Sequence, residues 1–174
     1  WIGSGDFFMP KNDWFLIVTH RITYRNQDMT MDYYVKQTST LSGSTVPFPE
    51  VKNFLKEDRD INDSLIDSLI TTSEMTLEKY TGHILIEKTY EMKVTEFADI
   101  NIPYNPVDTG SITVSYLDEN NTSQTLASDN YQIYEKDHTQ IVYEDNLPTL
   151  TTENDYPVTI EFTAGYSGSI PKDL

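Results

Sequence analysis

Histidine is the side chain to weigh first for chemistry, because a neutral imidazole both ligates metals and moves protons near neutral pH. The chain has three, His20, His83 and His138, and none has a partner at the helical i, i+4 spacing that sets two ligands side by side. His83 follows a helix-capping Gly and His138 falls in a hairpin tip, so both read as turn residues. Cysteine is absent, which removes thiolate metal sites, Cys nucleophiles and disulfides together. No metal and no other cofactor is expected.

Asp118, Glu119, Asn120 and Asn121 cluster oxygen atoms of the kind calcium takes, but the spacing fits no calcium loop and the closing bidentate Glu is missing. A plain hairpin turn uses the same residue types. A contact loop for a neighbouring protein is the third reading, and all three stay open. Among twenty-eight acids a hydrolytic pair would have to be set apart in an apolar pocket, and no spacing singles one out. Gly165-Tyr166-Ser167-Gly168 is not the Gly-x-Ser-x-Gly elbow, and no phosphate-cradling Gly-rich loop occurs. The expectation is no catalytic residue and no enzyme.

Tyr104, Tyr116, Tyr131, Tyr134, Tyr143, Tyr156 and Tyr166 allow a different chemistry, stacking on sugars or bases. On strands such tyrosines usually make half-buried sheet faces, and few Arg accompany them, which disfavours nucleic-acid stacking. A β-rich carbohydrate-binding or adhesion module is the alternative they leave. The formal net charge of −16 is uneven: residues 1–31 hold three basic and three acidic groups, so the whole excess lies beyond them. Such a surface repels phosphate backbones.

The elements that must position these residues follow from periodicity. Pro47 opens a short helix with Val51, Phe54 and Leu55 on one face. After the polar break Glu57-Asp58-Arg59-Asp60, residues Ile61, Leu65, Ile66, Leu69, Ile70 and Leu77 form a broad apolar stripe of a longer helix. It runs to Tyr80 and ends at Thr81-Gly82. The period then becomes two from Ile84 to Val94. Further strands are predicted over Ile112 to Leu117, Tyr131 to Tyr134, Gln140 to Tyr143 and Val158 to Thr163. Asp118 to Asn121 and Glu135 to His138 make the hairpin tips. No apolar run reaches the roughly 20 residues of a bilayer span.

Both ends carry expectations of their own. Residues 1–30 read as an N-terminal extension, with Met29 or Met31 as a translation start if the stretch before them is upstream sequence read in frame. An ordinary strand over Trp14 to Tyr24 is the other reading. Ile170-Pro171-Lys172-Asp173-Leu174 has the form of a first helical turn.

The order of these signals resembles one family, the head–tail connector (adaptor, head-completion) proteins of tailed double-stranded-DNA phages, prophages and gene transfer agents. The likeness spans roughly Tyr33 to Leu174. It rests on the helix Val51-Lys52-Asn53-Phe54-Leu55-Lys56, the helix from Asp63 to Gly82, and the strand Leu85 to Glu91. Ile102-Pro103, Pro106-Val107, the hairpin Val114 to Asn120 and Asp129 to Ile133 follow in order. Val158 to Tyr166 with Ile170-Pro171 is the most specific block. Phe48-Pro49-Glu50 departs from the family's usual Ser or Thr cap, with Ser44 and Thr45 further upstream.

The resemblance implies an α+β fold in which two N-terminal antiparallel helices pack beside an inserted antiparallel sheet, with the family's C-terminal helices missing. It implies a connector domain over residues 31–174, truncated at its C-terminus, in a structural virion protein. Subunits would form a ring, a dodecamer, below the portal protein, joining the DNA-filled head to the next head-completion or tail protein. DNA would pass through without sequence-specific binding, and no membrane partner is implied. Localisation would be the virion's head–tail junction after synthesis in the host cytoplasm. Asp118, Glu119, Asn120 and Asn121 would then face a neighbouring component of the ring.

Overall fold

A computed structural model describes residues 18–23, 30–40 and 44–167, with backbone alone for residues 18–23, 30, 31 and 40. Their order is β1 (Val18–Thr23), β2 (Thr30–Thr40), α1 (Phe48–Leu55), α2 (Asp63–Thr81) and β3 (Lys88–Val94). Next come β4 (Ile100–Asn101), β5 (Val107–Leu117), β6 (Ser123–Thr125), β7 (Tyr131–Glu135), β8 (Thr139–Tyr143) and β9 (Val158–Ala164). One antiparallel sheet has the order β1-β2-β3-β9-β5-β6 and a smaller one the order β4-β8-β7.

Alternation explains why the large sheet is stable. Tyr90, Met92 and Val94 of β3 point inward, and the facing β9 contributes Val158, Ile160, Phe162 and Ala164. Val107, Ile112 and Val114 of β5 complete that layer, and Ile100, Ile102 and Ile141 from the region of the small sheet join the same buried cluster. Each such aliphatic or aromatic side chain stabilises the fold by roughly 1.5–3 kcal/mol on burial. Tyr90 lies 4.5 Å from the ring of Tyr104 and 5.5 Å from that of Phe162, which extends the cluster toward the end of α2.

Two irregularities have visible causes. In β5 the pairing with β9 jumps between Asp108 and Thr113. There Asp108 Oδ1 accepts from the Gly110 amide at 3.0 Å, and the Ser111 hydroxyl accepts the Thr163 amide at 2.8 Å in place of a ladder carbonyl. At the end of β9, Gly165 has φ +112°, and a Cβ there would meet the Ile86 carbonyl oxygen at 2.6 Å. Only glycine lets the chain cross so close to residues 86–87.

The expected arrangement of two N-terminal antiparallel helices packed beside an inserted sheet is overturned, though both helices exist and the class remains α+β. Strand outweighs helix in the described residues, and β2, ahead of both helices, is hydrogen-bonded to β3 inside the large sheet. α1 buries no side chain and α2 only Ile66, so the helices form no shared core against the sheet. The face of α2 turned to the domain carries Ile66 and Ile70 beside Glu74 and Glu78, while Leu65, Leu69 and Leu77 are exposed. The helices expected as missing from the C-terminus, and the helical turn read over residues 170–174, lie outside the described residues, as does Met29.

The predicted strand from Ile84 begins only at Lys88. Ile84 instead donates to the Asn105 carbonyl at 2.7 Å, and the Leu85 amide is taken by the Glu78 carboxylate at 2.9 Å. β1 falls within residues 1–30 and pairs antiparallel with β2 from Val18 opposite Val35 to Thr23 opposite Thr30.

Candidate interaction surface

Helix α2 is amphipathic in an inverted sense. At 100° per residue, Leu65, Leu69 and Tyr80 share one side, Asp63, Asp67, Glu74 and Glu78 share another, and Leu77 falls between them beside the buried Ile66. The leucine side is the exposed one, with Leu65 57%, Leu69 55%, Leu77 48% and Tyr80 90% accessible. Ile61, ahead of the helix, and Phe54, at the end of α1, are exposed as well.

The acidic side does the anchoring. Asp63 accepts from Lys52 Nζ at 2.7 Å, which ties α1 to the start of α2, and Asp60 takes the same ammonium at 3.0 Å. These two carboxylates, Asp63 first, raise the Lys52 ammonium above its ordinary pKa. Glu74 Oε1 accepts from the Thr45 amide at 2.7 Å, the Thr45 hydroxyl at 2.5 Å and the Ser44 hydroxyl at 3.0 Å. Ser44 and Thr45 therefore bind the flank of α2 and do not cap α1, whose N-cap is Pro47 with no side-chain cap hydrogen bond. Glu78 Oε2 lies 2.5 Å from Lys88 Nζ, both side chains being nearly buried, while its Oε1 holds the Leu85 amide.

Outward, the hydroxyls of Ser68, Thr72 and Thr76 bond back to the carbonyls four residues earlier at 2.7–2.8 Å. Their hydrogen-bonding capacity is thus partly used within the helix, and they add small side chains beside the leucines. Around Leu65, Leu69 and Tyr80 the exposed surface carries no carboxylate of the same helix.

The hairpin Asp118 to Asn121 has a different economy. Asp118 Oδ1 accepts from the Asn120 and Thr122 amides at 2.9 and 3.0 Å, and Oδ2 from Gln124 Nε2 at 3.1 Å. The Thr122 amide, then Gln124, holds this carboxyl below its ordinary range. Asn121 takes φ +57° to close the turn. Glu119, Asn120 and Asn121 are exposed around it, so Asp118 shapes the tip while its neighbours face solvent. Among the described residues no group of His, Asp and Glu is placed to hold a metal ion.

Two of the histidines are brought to one residue. Asn105 bridges to His83 in a short parallel pairing, and its side-chain nitrogen lies 3.1 Å from His138 Nδ1. Its backbone receives Ile84 and donates to Gly82, so Asn105 fastens the end of α2 to the β7–β8 tip. His20 lies in β1, where only the backbone is described. An open groove beside this tip is lined by Asn101, Tyr134, Glu135, Lys136, Asp137, His138 and Gln140.

Of the tyrosines weighed for stacking, Tyr104, Tyr116, Tyr131 and Tyr143 pack against the core, and Tyr134 is exposed. Tyr156 stands edge-on to Tyr34, with 5.0 Å between ring centroids. Sequence reasoning found the apolar stripe of α2 but missed Glu74, Glu78, Lys88 and Asn105. The spacing of Glu74 and Glu78, one helical turn apart, was the signal available for the first two.

No known protein family matches the chain, and no curated protein does. Solved structures do. A chain from the neck of an empty gene transfer agent particle, computed with C6 symmetry, superposes with a TM-score of 0.64 at 20% identity, over 80% of this chain and 76% of that one. A chain from the virion of a native gene transfer agent particle gives 0.62 at 20% identity, with the same coverage. A chain from the neck of a native particle, computed with C12 symmetry, gives 0.55 at 21% identity, over 78% of this chain and 75% of that one. The chain has the fold of these particle components.

Proposed function

We propose that the chain is a structural subunit of the neck of a phage-like particle, an adaptor whose copies form a ring below the portal protein. The observation that carries this reading is the fold shared with gene transfer agent neck chains over 80% of the sequence at a TM-score of 0.64. In this role the subunit performs no catalysis. It contacts its own copies, the portal and the next head-completion or tail protein, and leaves DNA a passage.

The charge distribution supports the same role. Asp129, Glu135, Asp137, Glu144, Asp145, Glu153 and Asp155 are exposed on β7, the turns around it and the connection from β8 to β9. Carboxylates lining a channel or its rims repel phosphates, so a polyanion slides past without adhering. The tip Asp118 to Asn121 is assigned to contact with a neighbouring component, Asp118 holding its shape.

Sequencing the DNA on both sides of this reading frame tests the proposal. Portal and capsid genes on one side and tail genes on the other are the expected result. A neighbourhood of secretion or sugar-metabolism genes would overturn it and favour an adhesion module.

A further inference from the structure

We propose that the free edge of β7 takes an extended segment of another protein as a further strand of the small sheet, a segment that alternates apolar and basic side chains. The inference stands on the sheet itself and does not depend on the neck reading.

The ladder fixes which backbone groups of β7 are spent. Tyr131 to Glu135 pair with Tyr143 to Thr139, and the register continues at both ends. There the Glu144 amide donates to the Asn130 carbonyl at 3.0 Å and the Lys136 amide to that of His138 at 3.5 Å. Bonded positions alternate in an antiparallel pair, so Gln132 and Tyr134 turn their amides and carbonyls to β8. Tyr131, Ile133 and Glu135 turn theirs the other way, where the order β4-β8-β7 ends. The odd positions of β8 serve β4 by the same alternation, as the bond from the Ile102 amide to the Thr139 carbonyl at 2.8 Å shows.

Such a row of unspent donors and acceptors is a template for one more strand, and folded proteins usually blunt it by shortness, Lys, Pro or a bulge. The sheet ends at β4 and β6 are two and three residues long. β7 has five residues, Tyr-Gln-Ile-Tyr-Glu, in an unbroken register and without Pro or Lys.

The two faces of this edge set the chemistry of the incoming strand, whose main chain supplies the bonds and whose alternate side chains supply the selection. On one face Tyr131 and Ile133 pack half-buried against the core, and an apolar neighbour covers what they leave exposed. On the other, Tyr134 is half exposed beside the groove that Glu135 and Asp137 line, and Gln132 is held by Glu144 at 2.7 Å. Residues 129–145 carry Asp129, Glu135, Asp137, Glu144 and Asp145 against one lysine, Lys136. That field draws lysine or arginine side chains to the edge. A second copy of a chain with net charge −16 would instead set carboxylates against carboxylates.

The probe is a capped heptapeptide alternating lysine and valine, titrated into the whole chain while amide exchange is read residue by residue by NMR. The amides of Ile133 and Glu135 should become protected, and those of Gln132 and Tyr134, already bonded to β8, should change little. The same peptide with glutamate in place of lysine should protect neither. Glu135→Lys, at an exposed side chain, should weaken the lysine peptide several-fold with an unchanged circular dichroism spectrum. Ile133→Pro removes an outward N–H and no bond to β8, and should abolish protection at Glu135. Where that variant fails to fold, Glu135→Lys decides. Ile133 and Glu135 amides that stay unprotected at millimolar lysine peptide overturn the proposal, as do two peptides that protect them alike. Protection of these amides in the free chain that rises with its concentration also overturns it, because copies of the chain would then be pairing with each other.

Discussion

Glu78 and Lys88 face each other 2.5 Å apart, with only 12% and 13% of their side chains exposed, and this ion pair joins α2 to the first residue of β3. Its second oxygen fixes the Leu85 amide, so one carboxylate sets both the packing of the helix and the delayed start of the strand. A nearly buried pair of this kind is costly to break from one side, because the remaining charge is left without a partner.

Lys88→Met should therefore destabilise the fold by about 3 kcal/mol, and adding Glu78→Gln to it should restore part of the loss, since Gln still offers an oxygen to Leu85. Urea unfolding of the two variants measures both effects. A neutral Lys88→Met would mean that the helix is held elsewhere.

Alkaline pH should loosen the core through Tyr90. Burial, reinforced by Tyr104 and Glu78, pushes its hydroxyl far above the ordinary tyrosine value. A folded value raised above the unfolded one gives stability that is complete below about pH 10 and falls as pH rises beyond it, because the unfolded chain ionises first. Unfolding midpoints taken across that range should drop for the native chain and drop less for Tyr90→Phe.

Glycine is required at position 165 and only preferred at position 82. Gly165→Ala places its Cβ on the Ile86 carbonyl at a positive φ and should cost roughly 3 kcal/mol. Gly82→Ala meets no atom within 4 Å and should cost only about 1 kcal/mol for its left-handed cap. Thermal melting of the two variants separates the cases.

The sequence makes some of this legible and hides the rest for a physical reason. Alternation at Tyr90, Met92 and Val94 and at Val158, Ile160 and Phe162 announces the central strands, because a pleated sheet with one buried face forces period two. Gly82 and Pro47 mark helix ends as expected. The direction in which α2 points its leucines was not legible. An apolar stripe has the same period whichever way it faces, and here Glu74 and Glu78 take the inner side together with Ile66 and Ile70. Asn105 was invisible for a related reason, since its partners Gly82, Ile84 and His138 lie far from it in sequence. The hairpin at Asp118 was legible as a turn, but that its carboxylate would be taken up by Thr122, Gln124 and Asn120 depended on the folded geometry.

The central claim, a subunit of a particle neck, is tested most directly by locating the chain in particles released by cells that carry its gene. An epitope-tagged copy, labelled with gold and viewed by electron microscopy, should mark the junction between head and tail in intact particles. Label absent from the particles, or confined to the head shell or the tail tip, would contradict it.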